Sequence, residues 1–248
     1  MTSAITIDNL TKRYGRFSAL SGLSLEIKAA EVFGFLGHNG AGKTTTVHIL
    51  TTLLQPTSGS ANICGFDIGR QPMQARARIG YVPENVRLYE ALTAHENLLF
   101  FARLSGVEEP RRRIDETLAT LDCTPLAGKR VGVMSKGQRQ RIGLAQAILH
   151  RPDVLFLDEP ASGLDPLGIK TLRDLIVKLN RDFGMTIFMN SHLISEISKT
   201  CTSIGVLNHG TLVYHDTISS VLARFKDDRA LEELYLSLGT EKEPGHAG

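Results

Sequence analysis

Val32-Phe33-Gly34-Phe35-Leu36-Gly37-His38-Asn39-Gly40-Ala41-Gly42-Lys43-Thr44 is the stretch that decides the fold. It begins as a short apolar run bounded by glycine, the pattern of a buried strand. From Gly37 to Thr44 it matches G-x-x-x-x-G-K-[ST], and helical character is expected from Gly42 to Leu54. The turn sequence Gln55-Pro56-Thr57-Ser58-Gly59 then stops the helix. Glycines let the backbone fold tightly and aim several N–H groups at one anion, while the helix start adds a favourable dipole. Lys43 can then reach the β- and γ-phosphates of a nucleotide, and the Thr44 hydroxyl can ligate magnesium. His38, Asn39, Gly40, Ala41 and Thr45 complete the candidate cradle.

A second apolar run, Val154-Leu155-Phe156-Leu157, ends in Asp158-Glu159. Parallel sheets bind ligands at the carboxyl ends of their strands, where these acids project. Side chains alternate along a strand, so the two carboxylates are expected to point differently and hold different roles. Asp158 is the candidate magnesium ligand, directly or through water. Glu159 is the candidate for polarising the water that attacks the γ-phosphate. A further strand over Met185 to Met189 leads through Asn190-Ser191 to His192, which can approach the same phosphate from the neighbouring strand.

Around these segments the chain alternates strand and helix. Leu23, Leu25 and Ile27 alternate as a half-exposed strand, and Ile79-Gly80-Tyr81-Val82 reads as another, ended by Pro83. Helical spacing recurs over Thr93 to Leu104, Ile114 to Leu121 and Gly137 to His150, then over Ile169 to Asn180. Ser203 to Leu207 and Thr211 to Tyr214 flank Asn208-His209-Gly210 as a hairpin, and Leu231 to Leu238 is a short helical candidate. Strands separated by helices imply crossovers, hence an α/β fold with a largely parallel sheet covered on both faces. Residues 1–85 and 151–220 are expected to form the core, 86–150 a helical insertion, and 221–248 a short helix with a flexible polar end.

The bulk numbers exclude several classes. A chain of 248 residues with 42% hydrophobic and 22% charged residues can bury a sizeable core. The formal charge of +2 argues neither for nor against nucleic acid, and the one dense basic cluster, Arg111-Arg112-Arg113 after Pro110, reads as a solvated helix end. Cys64, Cys123 and Cys201 fit neither a metal spacing nor a disulfide framework, so reduced thiols are expected. No secretory signal opens the sequence, and no run approaches the roughly 18 apolar residues of a membrane helix. An Asn-Lys-x-Asp base-reading motif of a simple GTPase is absent.

Met134-Ser135-Lys136-Gly137-Gln138 resembles the L-S-G-G-Q motif of ABC ATPases, with Met for Leu and Lys for the first Gly. It lies upstream of Asp158-Glu159-Pro160, and Ser162-Gly163-Leu164-Asp165 follows where that family has its D-loop. The ordered motifs run from Tyr14 to His192, about three-quarters of the chain. The resemblance implies the P-loop ABC-ATPase fold: a mainly parallel core, an antiparallel edge sheet and an inserted helical subdomain. It implies ATP and Mg2+ as cofactors and catalytic roles for Lys43, Glu159 and His192. It further implies a head-to-tail dimer, or a paired cassette, in which each nucleotide lies between one subunit's phosphate loop and Ser135, Gly137 and Gln138 of the other. Tyr14 matches the aromatic that stacks on adenine. Partner permease subunits in the membrane follow from the same likeness, as do attachment to its cytoplasmic face and no nucleic-acid partner.

One position departs further. The family usually has Gln where Tyr81-Val82-Pro83-Glu84 has Glu84, which could still ligate a hard cation through oxygen. Pro83-Glu84-Asn85 and Leu231-Glu232-Glu233-Leu234-Tyr235 look like single-cassette exporter ATPases of sodium-, drug- and copper-linked systems. Gly37-His38-Asn39-Gly40 with Glu84-Asn85-Val86 is also similar to the ATPase accessory to nitrous-oxide reductase maturation.

Overall fold

Alternation along the central strands sorts the apolar residues into two cores in the computed structural model, which describes residues 2–225. The central sheet has strand order β10-β9-β3-β8-β7-β6, with β3 (Val32–Leu36), β6 (Ile79–Val82), β7 (Val154–Asp158), β8 (Thr186–Asn190), β9 (Ser203–Asn208) and β10 (Thr211–Thr217). From β9 across to β6 every neighbour is parallel; only β10 runs antiparallel, as the return arm of a hairpin. Val154, Phe156 and Phe188 face one core, while Leu155, Leu157, Ile187 and Met189 face the other. Period-two side-chain geometry makes this division unavoidable once both faces are covered.

The first core is closed by an antiparallel sheet of order β2-β1-β4-β5, made of β1 (Ser3–Tyr14), β2 (Phe17–Lys28), β4 (Ser58–Ile63) and β5 (Phe66–Asp67). Phe188 sits at its centre, its ring centroid 5.3 Å from those of Phe33 and Phe35 and 5.4 Å from that of Phe156. Helix α1 (Lys43–Leu50) packs into the same core through Val47, Ile49 and Leu50. This layer presses the start of α1 against the ends of β3 and β7.

Helices cover the opposite face. After α2 (Pro72–Ala77) come α3 (Ala94–Leu104), α4 (Pro110–Thr120) and α5 (Lys136–Ile148), whose Leu98, Ile114, Leu118, Ile142 and Leu144 join the second core. Helix α6 (Pro166–Phe183) shows why such a segment is helical. The Asp165 side chain caps it by accepting from Gly168 N–H at 2.7 Å, and Pro166 supplies a preset φ. Leu172, Leu175, Ile176 and Leu179 then form one buried stripe, and Gly184 ends the helix in the left-handed region. Helices α7 (Ile194–Thr200) and α8 (Ile218–Phe225) complete the chain as described. Among the described residues no helix is long and apolar enough to cross a membrane.

Several elements differ from expectation. Helix α1 stops at Leu50 rather than Leu54, because Thr52 turns to φ +61° and Leu53 and Leu54 both bond back to His48. Strands β1 and β4 were not anticipated. Asn9, at φ +48°, interrupts the alternation of β1, and β4 starts inside a turn-like sequence. Helix α8 starts at Ile218, ahead of the expected boundary at 221, and Leu231 to Leu238 lies outside the described residues.

Candidate active site

Gly42 starts α1 at φ +110°, and a Cβ there would fall 2.5 Å from the Ala19 carbonyl oxygen, so both backbone and space demand glycine. Immediately after it, Lys43 is buried and its ammonium donates to the carbonyls of Gly37 at 2.7 Å and His38 at 3.3 Å. Burial lowers the Lys43 pKa, opposed by the negative charges of Glu159 and Asp158. Ala41 is fixed through the loop, its N–H on His38 O at 3.1 Å and its O accepting from Gly210 N–H at 2.9 Å. The His38 ring engages Asn208 Oδ1 at 3.1 Å and lies 4.9 Å from the His209 ring, which anchors the loop to the β9–β10 turn.

The strand ends bring the two acids to this loop. Thr44 Oγ1 lies 3.5 Å from Asp158 Oδ1. Asn190, fully buried at the end of β8, donates to that same oxygen at 2.6 Å and accepts Glu159 N–H through Oδ1 at 2.8 Å. Tyr81, from β6, is 3.5 Å from Asp158 Oδ2; burial first, then that carboxylate, pushes its phenol up to about 12. Glu159 diverges from Asp158, but not by strand alternation. The strand has ended, and Glu159 turns into the left-handed region at φ +47°. Its Oε2 meets His192 Nδ1 at 2.7 Å. A carboxylate only accepts, so His192 carries its proton on Nδ1 in this pairing.

The structure divides the predicted residues between two cavities. One, about 460 Å³, is lined by Tyr14, Asn39, Gly40, Gly42, Lys43, Thr44, Thr45, Glu84, Glu159 and His192. The other, of 420 Å³, is lined by Ser135, Lys136, Gly137 and Gln138 together with Gly163, Leu164 and Asp165. Ser135 caps α5: its Oγ accepts Gln138 N–H at 3.3 Å, and Gln138 Oε1 accepts Ser135 N–H at 3.3 Å and Lys129 Nζ at 2.9 Å. Glu84 joins the first cavity but its Oε1 is taken by the Ser162 hydroxyl at 3.0 Å. Tyr14 is half exposed at the hairpin end, paired with Phe17 across β1 and β2, and the Lys12 ammonium lies 5.2 Å from its ring centroid.

Asn190, Tyr81 and Phe17 escaped the sequence reading. Asn190 does carry a usable signal, a carboxamide closing a strand beside an acidic strand end. Tyr81 and Phe17 carried none beyond strand character.

The site suits Mg2+ with a polyphosphate. Thr44 and Asp158 offer hard oxygen donors side by side, and Gly40 leaves open space where a Cβ would stand. Among the described residues no cluster of three or more His, Cys, Asp or Glu could hold a metal alone.

Comparison with known proteins agrees with this geometry. Residues 20–162 match the ABC transporter family. The bacitracin transport ATP-binding protein BcrA of Bacillus licheniformis is 41% identical over 213 residues, covering 86% of this chain and 69% of that one. The ABC transporter ATP-binding protein NatA of Bacillus subtilis is 35% identical over 224 residues, covering 88% and 91%. A dimeric ATP-binding cassette solved in a post-hydrolysis state with ADP and Pi superposes at a TM-score of 0.78 with 26% identity, covering 86% and 98%. The chain belongs to the ABC transporter family. Within it, the chain is an ATP-binding subunit, an ATPase that uses ATP with Mg2+, and single cassettes of this kind pair with membrane permease subunits.

Proposed function

We propose that this subunit drives an exporter-type transporter by closing head-to-tail with a second cassette on two ATP molecules, at the cytoplasmic face of the membrane. The observation that carries the reading is the separation of the phosphate-loop cavity from the serine-capped start of α5. A helix N-terminus with small residues is suited to approach a phosphate closely, yet in one chain it lines a different cavity from Lys43. A partner copy supplying Ser135, Gly137 and Gln138 resolves that mismatch. Exporter direction is supported by the Pro83-Glu84-Asn85 segment, and a transport role by the relative named for bacitracin transport. Nothing in the charge pattern favours nucleic acid as a partner. Residues 86–150 act as the helical subdomain and residues 1–85 with 151–220 as the ATPase core; 221–248 lie beyond both.

In this reading Lys43 and the loop N–H groups bind the β- and γ-phosphates, and Thr44 and Asp158 hold Mg2+. An Mg2+ ion held by Thr44 and Asp158 would supply positive charge to offset the charge developing on the transferred phosphoryl group. Tyr14 stacks against the adenine. Glu159 accepts a proton from the attacking water, and His192 holds the Glu159 carboxylate through Nδ1. Asn190 fixes Asp158 and the Glu159 backbone, so that the two acids keep separate tasks.

Glu159→Gln tests the assignment. The variant should bind Mg-ATP as the parent does, lose about a hundredfold or more in turnover, and accumulate as a closed dimer. Hydrolysis at the parental rate would remove Glu159 from the role of base.

A further inference from the structure

Glu84 and Lys136 are the two charged departures from the family motifs, and both touch the same short segment, Ser162-Gly163. Ser162 Oγ donates to Glu84 Oε1 at 3.0 Å. Lys136, the first residue of α5, lies over Gly163: a Cβ there would fall 2.7 Å from Nζ and 3.5 Å from Cδ and Cε. Gly163 stands at φ +65°, where glycine alone is relaxed and no side chain competes with the lysine stem.

Beyond these contacts, Leu164 packs against the second core. The segment's internal bonds are Ser162 N–H to Glu159 O at 3.0 Å and Leu164 N–H to Ala161 O at 3.2 Å, and Gly163 is exposed. It links Glu159 at one end to Asp165, the cap of α6, at the other. Glu84 reaches it from the chain leaving β6, just before the helical insertion, and Lys136 reaches it from the insertion's last helix.

We propose that Glu84 and Lys136 form a two-point clasp: both are positioning residues that fix residues 162–165, and through them Glu159, relative to the helical insertion. The functional half of this proposal rests on Glu159 being the base. A carboxylate that accepts from Ser162 is occupied as a loop anchor, which accounts for Glu standing where the family motif usually has Gln. Glutamine retains an Oε1 acceptor for the same hydroxyl, whereas alanine does not.

Amide hydrogen exchange on the full chain tests the clasp. Glu84→Ala and Ser162→Ala should each speed exchange at the Ser162 and Leu164 amides about two- to tenfold, the effect of one net hydrogen bond. The double variant should be no faster than either alone. Glu84→Gln should keep the parental protection, and Lys136→Gly should raise exchange at Leu164 while Mg-ATP binding is retained. In steady-state turnover, Glu84→Ala should lower kcat with the ATP KM within about twofold, and Glu84→Gln should restore kcat. Unchanged exchange in Glu84→Ala and Lys136→Gly overturns the clasp. So does a Glu84→Gln variant that needs more Mg2+ for half-maximal turnover, which would make Glu84 a metal ligand instead. A parent chain without ATP turnover would sink the proposed function, but the exchange measurement would still decide the clasp.

Discussion

Asn190 is bonded to Asp158 across 2.6 Å, Nδ2 to Oδ1, in a buried site, and the other end of the same carboxamide receives the Glu159 N–H. One neutral side chain thereby holds both acids of the site. Asn190→Ala strips the buried Asp158 oxygen of its close amide donor, while the Glu159 N–H keeps only the Asn190 backbone carbonyl at 3.2 Å. It should cost about 2–3 kcal/mol of stability, read as a lower urea midpoint with the m-value unchanged. A midpoint equal to the parent's would mean that water replaces the carboxamide without loss.

His192 bonds to Glu159 while its own side chain is half exposed, so it orients the acid without holding up the core. His192→Ala should reduce kcat about ten- to a hundredfold at saturating ATP and leave the unfolding midpoint within experimental error. Parental kcat in that variant would leave Glu159 acting alone.

Ser135 separates the dimer reading from a self-contained site. Ser135→Arg, paired in a mixed dimer with an unaltered copy, should silence hydrolysis at the phosphate loop of the unaltered copy. The mutated copy's own phosphate loop, facing an intact serine, should keep turning over. Full activity at both loops would contradict the shared arrangement.

Tyr81 gives a pH signature in the nucleotide-free protein. Its phenol is raised from 10.0 to about 12 in the fold, so the folded state holds the proton more tightly than the unfolded state. The associated stability is fully present below pH 10 and is lost as pH rises toward 12. Tyr81→Phe should therefore flatten the alkaline fall in stability over that window, followed by urea titration at stepped pH. An identical slope in both proteins would show that the phenol ionises in the fold as it does in the open chain.

The sheet and its phosphate loop were legible because apolar runs bounded by glycine are strong local signals, and Gly42, Lys43 and Thr44 lie in one continuous segment. The strand-end acids were equally visible. What sequence did not carry was the contact between strands: Asn190 meets Asp158 only because β8 lies beside β7 in parallel register. The same holds for Glu84 and Ser162, 78 positions apart. Strand β1 was missed where a left-handed Asn9 breaks its alternation, and the true end of α1 depended on Thr52 adopting a conformation its residue type rarely takes.

Glu159 occupies a backbone conformation in which glycine would rest more easily, at φ +47°. Replacing it by glycine should thus yield a sturdier fold and an inert one. On the proposed role for Glu159, selection for durability alone would erase this acid, and the chain gives up some robustness there to keep it.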